Sequence, residues 1–280
     1  MALRFSQVDV FAASALGGNA VAVVHGADAL SDAQMAAFAR WTNLSETTFL
    51  VRPAAADADY GLRIFTPERE LPFAGHPTLG SAHAWLSAGG TPRQAGLVIQ
   101  ECPAGLVPVR ITPGQLAFAA PPCTRTGPVD EATLDTVAAA LDTSRERLLS
   151  HQWVDNGPGW LVVELASVSE LLALQPQDAL LRGLDVGAFA MSGDDAGHRY
   201  EVRAFVPGYT ECEDPVTGSL NASLAQWLRA SERVPASYTV HQGTALRRDG
   251  VITIDDDGSE IWVGGVTVTV IDGSVDLPAA

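Results

Sequence analysis

Residues 63–67 read RIFTP and residues 203–207 read RAFVP, an offset of 140 (203 − 63) in a chain of 280 residues. After each comes a loop and then an apolar segment closing on the same pair. "AHAWL" ends at Leu86 and "LAQWL" at Leu228, an offset of 142 (228 − 86). Upstream, "GNAVAVV" from Gly18 matches "GPGWLVV" from Gly157, an offset of 139 (157 − 18). Matches in one order at nearly one offset predict an internal duplication, with a period far too long for a solenoid. The expected fold is α+β, with two similar lobes, each a β-barrel-like sheet wrapped around a central helix. The first lobe is placed at 1–120 and the second at 128–269, with a strand near 270–280 returning to the first.

Alternation of apolar and polar residues marks strands in "RFSQVDVF", "AVAVV", "TTFLV", "GLRIFT", "LVPVRI", "GWLVVEL", "YEVRAFV", "VITID" and "VTVTVI". Helices are expected at Ser31–Thr42, opened by the capping-box pattern SDAQ, at Pro77–Ser87, at Asp130–Ser150 and at Val216–Arg229. The segments ending in Trp85-Leu86 and Trp227-Leu228 are apolar almost all round, which predicts helices enclosed by sheet with both tryptophans buried. If the lobes pack face to face, the helix N-termini near His76 and Gly218 open into one cleft. Each carries roughly +0.5 of an elementary charge and unpaired amides, a setting for a carboxylate or a developing oxyanion.

Composition narrows the chemistry. The formal net charge is −16, so nucleic acid and anionic membranes would be repelled, and a small-molecule substrate is the expected partner. Every one of the 17 basic residues is arginine, which removes lysine Schiff bases and the Walker-type phosphate loop. Cys102, Cys123 and Cys212 are odd in number and lack C-x-x-C spacing, against a disulfide framework or a structural zinc site. The opening "MALRFSQVDVFAAS" has no signal-peptide core and no apolar run reaches membrane-spanning length, so a cytoplasmic protein is expected.

Three stretches carry candidate chemistry: NLSETTF around Glu46, AGHPTLG around His76, and EDPVTGS from Glu213 to Ser219. Each also has a structural reading: Glu46 as a solvated carboxylate, His76 as a cap, Asp214 and Pro215 as helix N-cap and first residue, Ser219 as a packing residue. Taken together, His76 and the Asp214–Ser219 segment occupy matching places in the two halves. Asp214, close to helix amides, is expected ionised and His76 neutral. A buried Glu46 is expected to rise from about 4.3 toward neutrality, which suits moving a proton at carbon.

NLSETTF, IFTPERELPFAGHPTLG, EDPVTGS and QGTALRRDG together resemble the PhzF (phenazine-biosynthesis) isomerase family, within the diaminopimelate-epimerase-like superfamily. The resemblance runs almost end to end. It implies two similar lobes with the active site between them, a homodimer, and isomerisation without a cofactor. In that reaction a glutamate moves a proton between carbons of a dihydro-hydroxyanthranilate-like acid. By motif, the general acid/base falls on Glu46, with His76 and Asp214 as polar partners. Gly75, Gly218 and Ser219, together with Asn19, become substrate-binding positions. Two departures stand out: the family's Gly-Asn-Pro is here Gly18-Asn19-Ala20, and the small residue that often follows the serine is Leu220. The first is expected to alter only loop stiffness and the second to reshape the pocket.

Other chemistries find less support. Superfamily racemases use two facing cysteines, whereas these helix mouths carry Gly75-His76 and Gly218-Ser219; amino-acid epimerisation is the weaker alternative, and Cys212 reads as an ordinary buried thiol. His76 and His83 lack the H-E-x-x-H arrangement, so no metal is expected. Neither a G-x-S-x-G elbow nor a dinucleotide fingerprint occurs. The rival from another class is a non-catalytic anion-binding or regulatory protein, which Glu46 disfavours because an extra carboxylate repels an anionic ligand.

Overall fold

The computed structural model describes residues 2–181, 183–193, 196–208 and 212–277. The chain divides into two compact units, residues 1–119 with 264–280, and residues 120–263. The second boundary therefore falls at 263 rather than 269, and the first at 119.

In the first unit, β1 (Ala2–Val10) pairs antiparallel with β2 (Asn19–Val24). A crossover through α1 (Asp32–Thr42) brings β3 (Glu46–Val51) alongside β2 in parallel. Antiparallel to β3 runs β4 (Tyr60–Phe65), which also pairs with the short β5 (Glu70–Leu71). The chain then forms α2 (Gly75–Ser87) and returns as β6 (Leu97–Cys102), parallel to β4. β7 (Gly105–Thr112) and β8 (Gln115–Ala119) continue antiparallel.

The second unit repeats this pairing order. After β9 (Arg125–Gly127) and α3 (Glu131–Ala140) come β10 (His151–Asp155) and β11 (Leu161–Glu164), antiparallel. Helix α4 (Val168–Ala173) crosses to β12 (Val186–Met191), parallel to β11. β13 (Tyr200–Phe205) pairs antiparallel with β12 and with the short β14 (Glu213–Asp214). Helix α5 (Gly218–Ala230) leads to β15 (Ser237–Gln242), parallel to β13, and β16 (Gly250–Asp256) is antiparallel to β15. Through β17 (Ile261–Gly265) the chain re-enters the first unit, where β18 (Thr267–Asp276) lies antiparallel along β1.

The local sequence explains most of these elements. Ser31 caps α1, and Gln34 completes the reciprocal capping box. Helix α2 touches β1, β2, β3, β6, β7, β8 and β18, so strands surround it. Its Gly80 is a packing requirement, because a Cβ there would lie 2.3 Å from a Val21 methyl. With α1 packed on β3 and β4, the middle strands of the unit have helix on both faces. That arrangement accounts for their near-continuous burial where a one-sided strand would alternate.

Several expectations need correction. The helix expected over Asp130–Ser150 ends at Ala140, because Asp142 adopts a left-handed φ of 53° and the following residues form only a 3-10 turn at Arg145–Arg147. The helices at the two motifs start at Gly75 and Gly218 instead of Pro77 and Val216. Trp85 and Trp227 are only partly buried; each lies near its helix's C-terminal end, Trp85 against Tyr60 and Trp227 edge-on to Phe189. No helix among the described residues is long and apolar enough to cross a membrane.

Both units contain the same ion pair at the same place. Arg63 on β4 grips Glu70 on β5 through Nε (2.8 Å) and Nη2 (2.7 Å). Arg203 on β13 grips Glu213 on β14 through Nε (3.0 Å) and Nη2 (2.6 Å). Each guanidinium also lies over the phenylalanine two residues on, Phe65 and Phe205. These forks fix the short strands that lead into the two helix mouths.

Candidate active site

The mouth of α2 is assembled from three strands and the helix itself. Asp9, buried near the end of β1, accepts the Gly18 amide through Oδ2 at 3.1 Å. Only glycine fits at 18, since a Cβ would lie 2.1 Å from the Val10 carbonyl oxygen. The turn delivers Asn19 to the first position of β2, opposite Val10. Glu46 opens β3, in parallel register with Val21. Ala74, extended at φ −152°, leads into α2, whose ladder begins with Thr78 N–H to the Ala74 carbonyl. The amides of Gly75 and His76 therefore have no partner within the helix, and Pro77 sits where a missing N–H costs nothing.

The side chains converge. Asn19 Nδ2 donates to His76 Nδ1 at 3.4 Å, and His76 Nε2 lies 3.2 Å from Glu46 Oε2. All of them are buried. Glu46 is thus not the solvated carboxylate of the structural reading. Burial pulls the His76 imidazole down to about 3, so it is neutral near pH 7. Because Nδ1 accepts from Asn19, the one proton of the neutral ring belongs on Nε2, facing the carboxylate. Such a pair has a carboxylate that can take or return a proton, beside a neutral N–H donor that can hydrogen-bond an anion.

The mouth of α5 is built differently. Asp214 belongs to β14, opposite Ala204, and is not the helix N-cap; Thr217 takes that place. The Thr217 hydroxyl donates to Asp214 Oδ2 at 2.6 Å. Gly218 and Ser219 open the helix, whose ladder starts with Asn221 N–H to the Thr217 carbonyl. Trp160 Nε1 donates to Ser219 Oγ at 3.0 Å, and Asn156 Nδ2 donates to the Ser219 carbonyl at 2.9 Å. Since the indole occupies an acceptor site of the hydroxyl, the Ser219 proton is left for another acceptor.

Leu220, expected to reshape the pocket, is accommodated in the core of its own unit. Its side chain is fully buried within the unit, against Gly187 of β12 and near Val162; a Cβ on Gly187 would sit 2.6 Å from Leu220 Cδ1. A glycine opposite makes room for the larger residue. Cys212, also buried, has its thiol pushed up to about 12, chiefly by burial and then by Asp178, and is a poor nucleophile. Among the described residues no group of His, Cys, Asp and Glu is arranged to hold a metal.

Sequence reasoning missed Asp9, Asn156, Trp160, Thr217 and Gln242 as parts of these mouths. The signal for Asn156 and Trp160 was the Gly-Pro-Gly loop between them, where Asp155 Oδ1 accepts both the Gly157 and Gly159 amides at 2.7 Å. Gln242 heads one of the motifs quoted above, but nothing in the string ties it to Thr217.

A fold of this pairing order is that of the diaminopimelate-epimerase-like superfamily. The family described as "Phenazine biosynthesis-like protein" (PhzC-PhzF) matches residues 8–273, and the chain belongs to it as an isomerase. It is 36% identical to Antisense-enhancing sequence 1 of Schizosaccharomyces pombe, over 96% of this chain and 97% of that protein. It is 33% identical to the trans-2,3-dihydro-3-hydroxyanthranilate isomerase of Pseudomonas aeruginosa, over 95% of each. The crystal structure of an Enterococcus faecalis PhzF-family protein superposes with a TM-score of 0.81 at 26% identity, covering 99% of this chain and 100% of that one.

Proposed function

We propose that this isomerase acts without a cofactor on a small cyclic acid of the dihydro-hydroxyanthranilate kind, with Glu46 carrying the proton between two carbons. The observation that carries the reading is the buried contact of 3.2 Å between Glu46 Oε2 and His76 Nε2. A carboxylate out of water can take a proton from carbon, and a neutral imidazole N–H stabilises charge without competing for that proton. His76, at about 3, is too weak a base to be the carrier at neutral pH. Ser219 and the first amides of α5 are assigned to the substrate carboxylate, with Gly75 and the α2 amides opposing charge that develops on the substrate. Asp214 receives the substrate's polar substituent.

The repeated pairing order, the doubled Arg–Glu fork and the sequence offsets support an internal duplication, with a β-barrel-like sheet around each central helix. By family resemblance the molecule is a homodimer.

Incubation with trans-2,3-dihydro-3-hydroxyanthranilate and related cyclic and α-amino acids in deuterated buffer tests the reading, with label located by mass spectrometry. Label gained with a moved double bond, abolished by Glu46→Gln and unaffected by chelator, is the expected result. Label with inverted configuration at one α-carbon would instead indicate epimerisation. Tight binding of an acid with no label at all would indicate a binding protein.

A further inference from the structure

Each unit carries a fully buried glutamine on the strand that follows its central helix, and the two are wired differently. Gln100 on β6 donates through Nε2 to Thr78 Oγ1 of α2 at 3.1 Å and accepts from the Tyr60 hydroxyl at 3.1 Å. None of those bonds reaches a carboxylate; they tie strand to helix. Gln242, at the end of β15, accepts the Thr217 amide (3.0 Å) and Asn221 Nδ2 (2.9 Å) on Oε1. Its Nε2 donates to the Asp214 carbonyl (3.2 Å) and to Thr217 Oγ1 (3.0 Å). Every hydrogen-bonding position of that amide is used, with no solvent to substitute for any of them.

A hydroxyl has one proton. Since Gln242 Nε2 can only donate, Thr217 Oγ1 must accept from it, and the hydroxyl proton is then committed to Asp214 Oδ2 at 2.6 Å. We propose that Gln242 is a positioning residue for the isomerase: through Thr217 it holds the Asp214 carboxylate in one orientation and favours its ionised form at the mouth of α5. The same amide grips the Asp214 carbonyl and the Thr217 N–H, so main chain and side chain of the mouth are set by one group. The proposal rests on the assignment of Asp214 to the substrate.

Double-variant comparison isolates the relay. Gln242→Glu turns the donor into an acceptor that competes for the Thr217 proton, while Gln242→Met removes the donor without adding charge. Each is made alone and with Thr217→Val. Asp214 is titrated by carbon-13 NMR of carboxyl-labelled aspartate, assigned with Asp214→Asn, and deuterium uptake into trans-2,3-dihydro-3-hydroxyanthranilate is followed against pH. With Thr217 in place, either change should raise the Asp214 midpoint by about one pH unit or more and move the acid limb of the rate profile with it. In the Thr217→Val background both changes should shift the midpoint by less than they do with the hydroxyl present, the remainder coming from the main-chain contacts to Asp214 and Thr217 and, for Glu, from its through-space charge. Thr217→Ser should keep the parent midpoint.

Equal shifts with and without the Thr217 hydroxyl would overturn the relay. So would loss of fold in both Gln242 variants, which would make the amide a structural tie like Gln100. Absence of deuterium uptake by the parent chain would overturn the isomerase reading alone, because the NMR titrations decide the relay independently.

Discussion

Asn19 donates to Nδ1 of His76, and that one bond decides which side of the imidazole carries its proton. Replacing Asn19 with Leu removes the donor and leaves a buried Nδ1 without it, so the ring is free to take the other tautomer with a lone pair facing Glu46. Turnover should fall by roughly 10- to 100-fold, as for other residues that orient a ligating or catalytic histidine. The fall should appear mainly in kcat, read from steady-state deuterium uptake. An unchanged kcat would mean that the tautomer is held by something else.

Acid stability follows from the same histidine. His76 is lowered from 6.5 to about 3 by burial. The unfolded chain therefore binds a proton that the folded chain refuses, and stability should decline as the pH falls from 6.5 toward 3. His76→Gln should flatten that part of a urea-unfolding series, and a profile identical to the parent would refute the assignment.

His241 predicts the opposite limb. Its Nδ1 lies 2.8 Å from Glu201 and its Nε2 2.8 Å from Asp249, which together raise it to about 9, with the Glu201 hydrogen bond the largest contribution. A raised histidine contributes stability that is complete below 6.5 and is lost as the pH rises through 9. Thermal unfolding between pH 6 and 10 should show a decline in Tm that His241→Gln largely removes; the exposed Asp249 arm makes the effect salt-sensitive.

The paired arginine forks should differ in cost because their surroundings differ. Arg203 and Glu213 side chains are 5% and 2% exposed, whereas Arg63 and Glu70 are 27% and 31%. Glu213→Gln leaves a buried guanidinium short of its counter-charge and should cost about 3–5 kcal/mol, against at most about 1 kcal/mol for Glu70→Gln. Arg203 also donates to the Leu171 and Leu174 carbonyls at the end of α4, so the loss should loosen that helix too. Denaturant midpoints of the two variants settle the ordering.

Gly187→Ala offers a packing test. Its new methyl would meet Leu220 at 2.6 Å in a fully buried layer, and overpacking of this kind costs about 1–3 kcal/mol. Leu220→Ala should restore much of that loss in the double variant, because the two side chains compete for one space.

The sequence showed α1 to within one residue, since its capping box is a local signal, and it located both central helices through their shared Trp-Leu endings. Helix α4 escaped although Ser167 and Glu170 carry the same kind of cap, because its single turn and a half is too short for a periodic pattern. Strand β12, Val-Gly-Ala-Phe-Ala-Met, is apolar throughout and has no alternation to detect. Glu46 and His76 were legible as candidates from their motifs, but their contact was not, since it joins residues 30 positions apart (76 − 46). Thr217 and Gln242 were harder still. Hydrogen-bond direction depends on which buried atoms meet, and no local pattern records that.

Because β18 lies along β1 over its whole length, the first unit cannot close until residue 276 has been synthesised, whereas the second is complete in the chain by residue 263. During translation the earlier-made strands of the first unit wait with one neighbour missing while the later segment folds. An N-terminal fragment ending near residue 119 would leave the β1 edge bare, a surface on which chains associate. Circular permutation that joins β18 directly ahead of β1 would remove that delay and turn the longest-range pairing of the molecule into a hairpin.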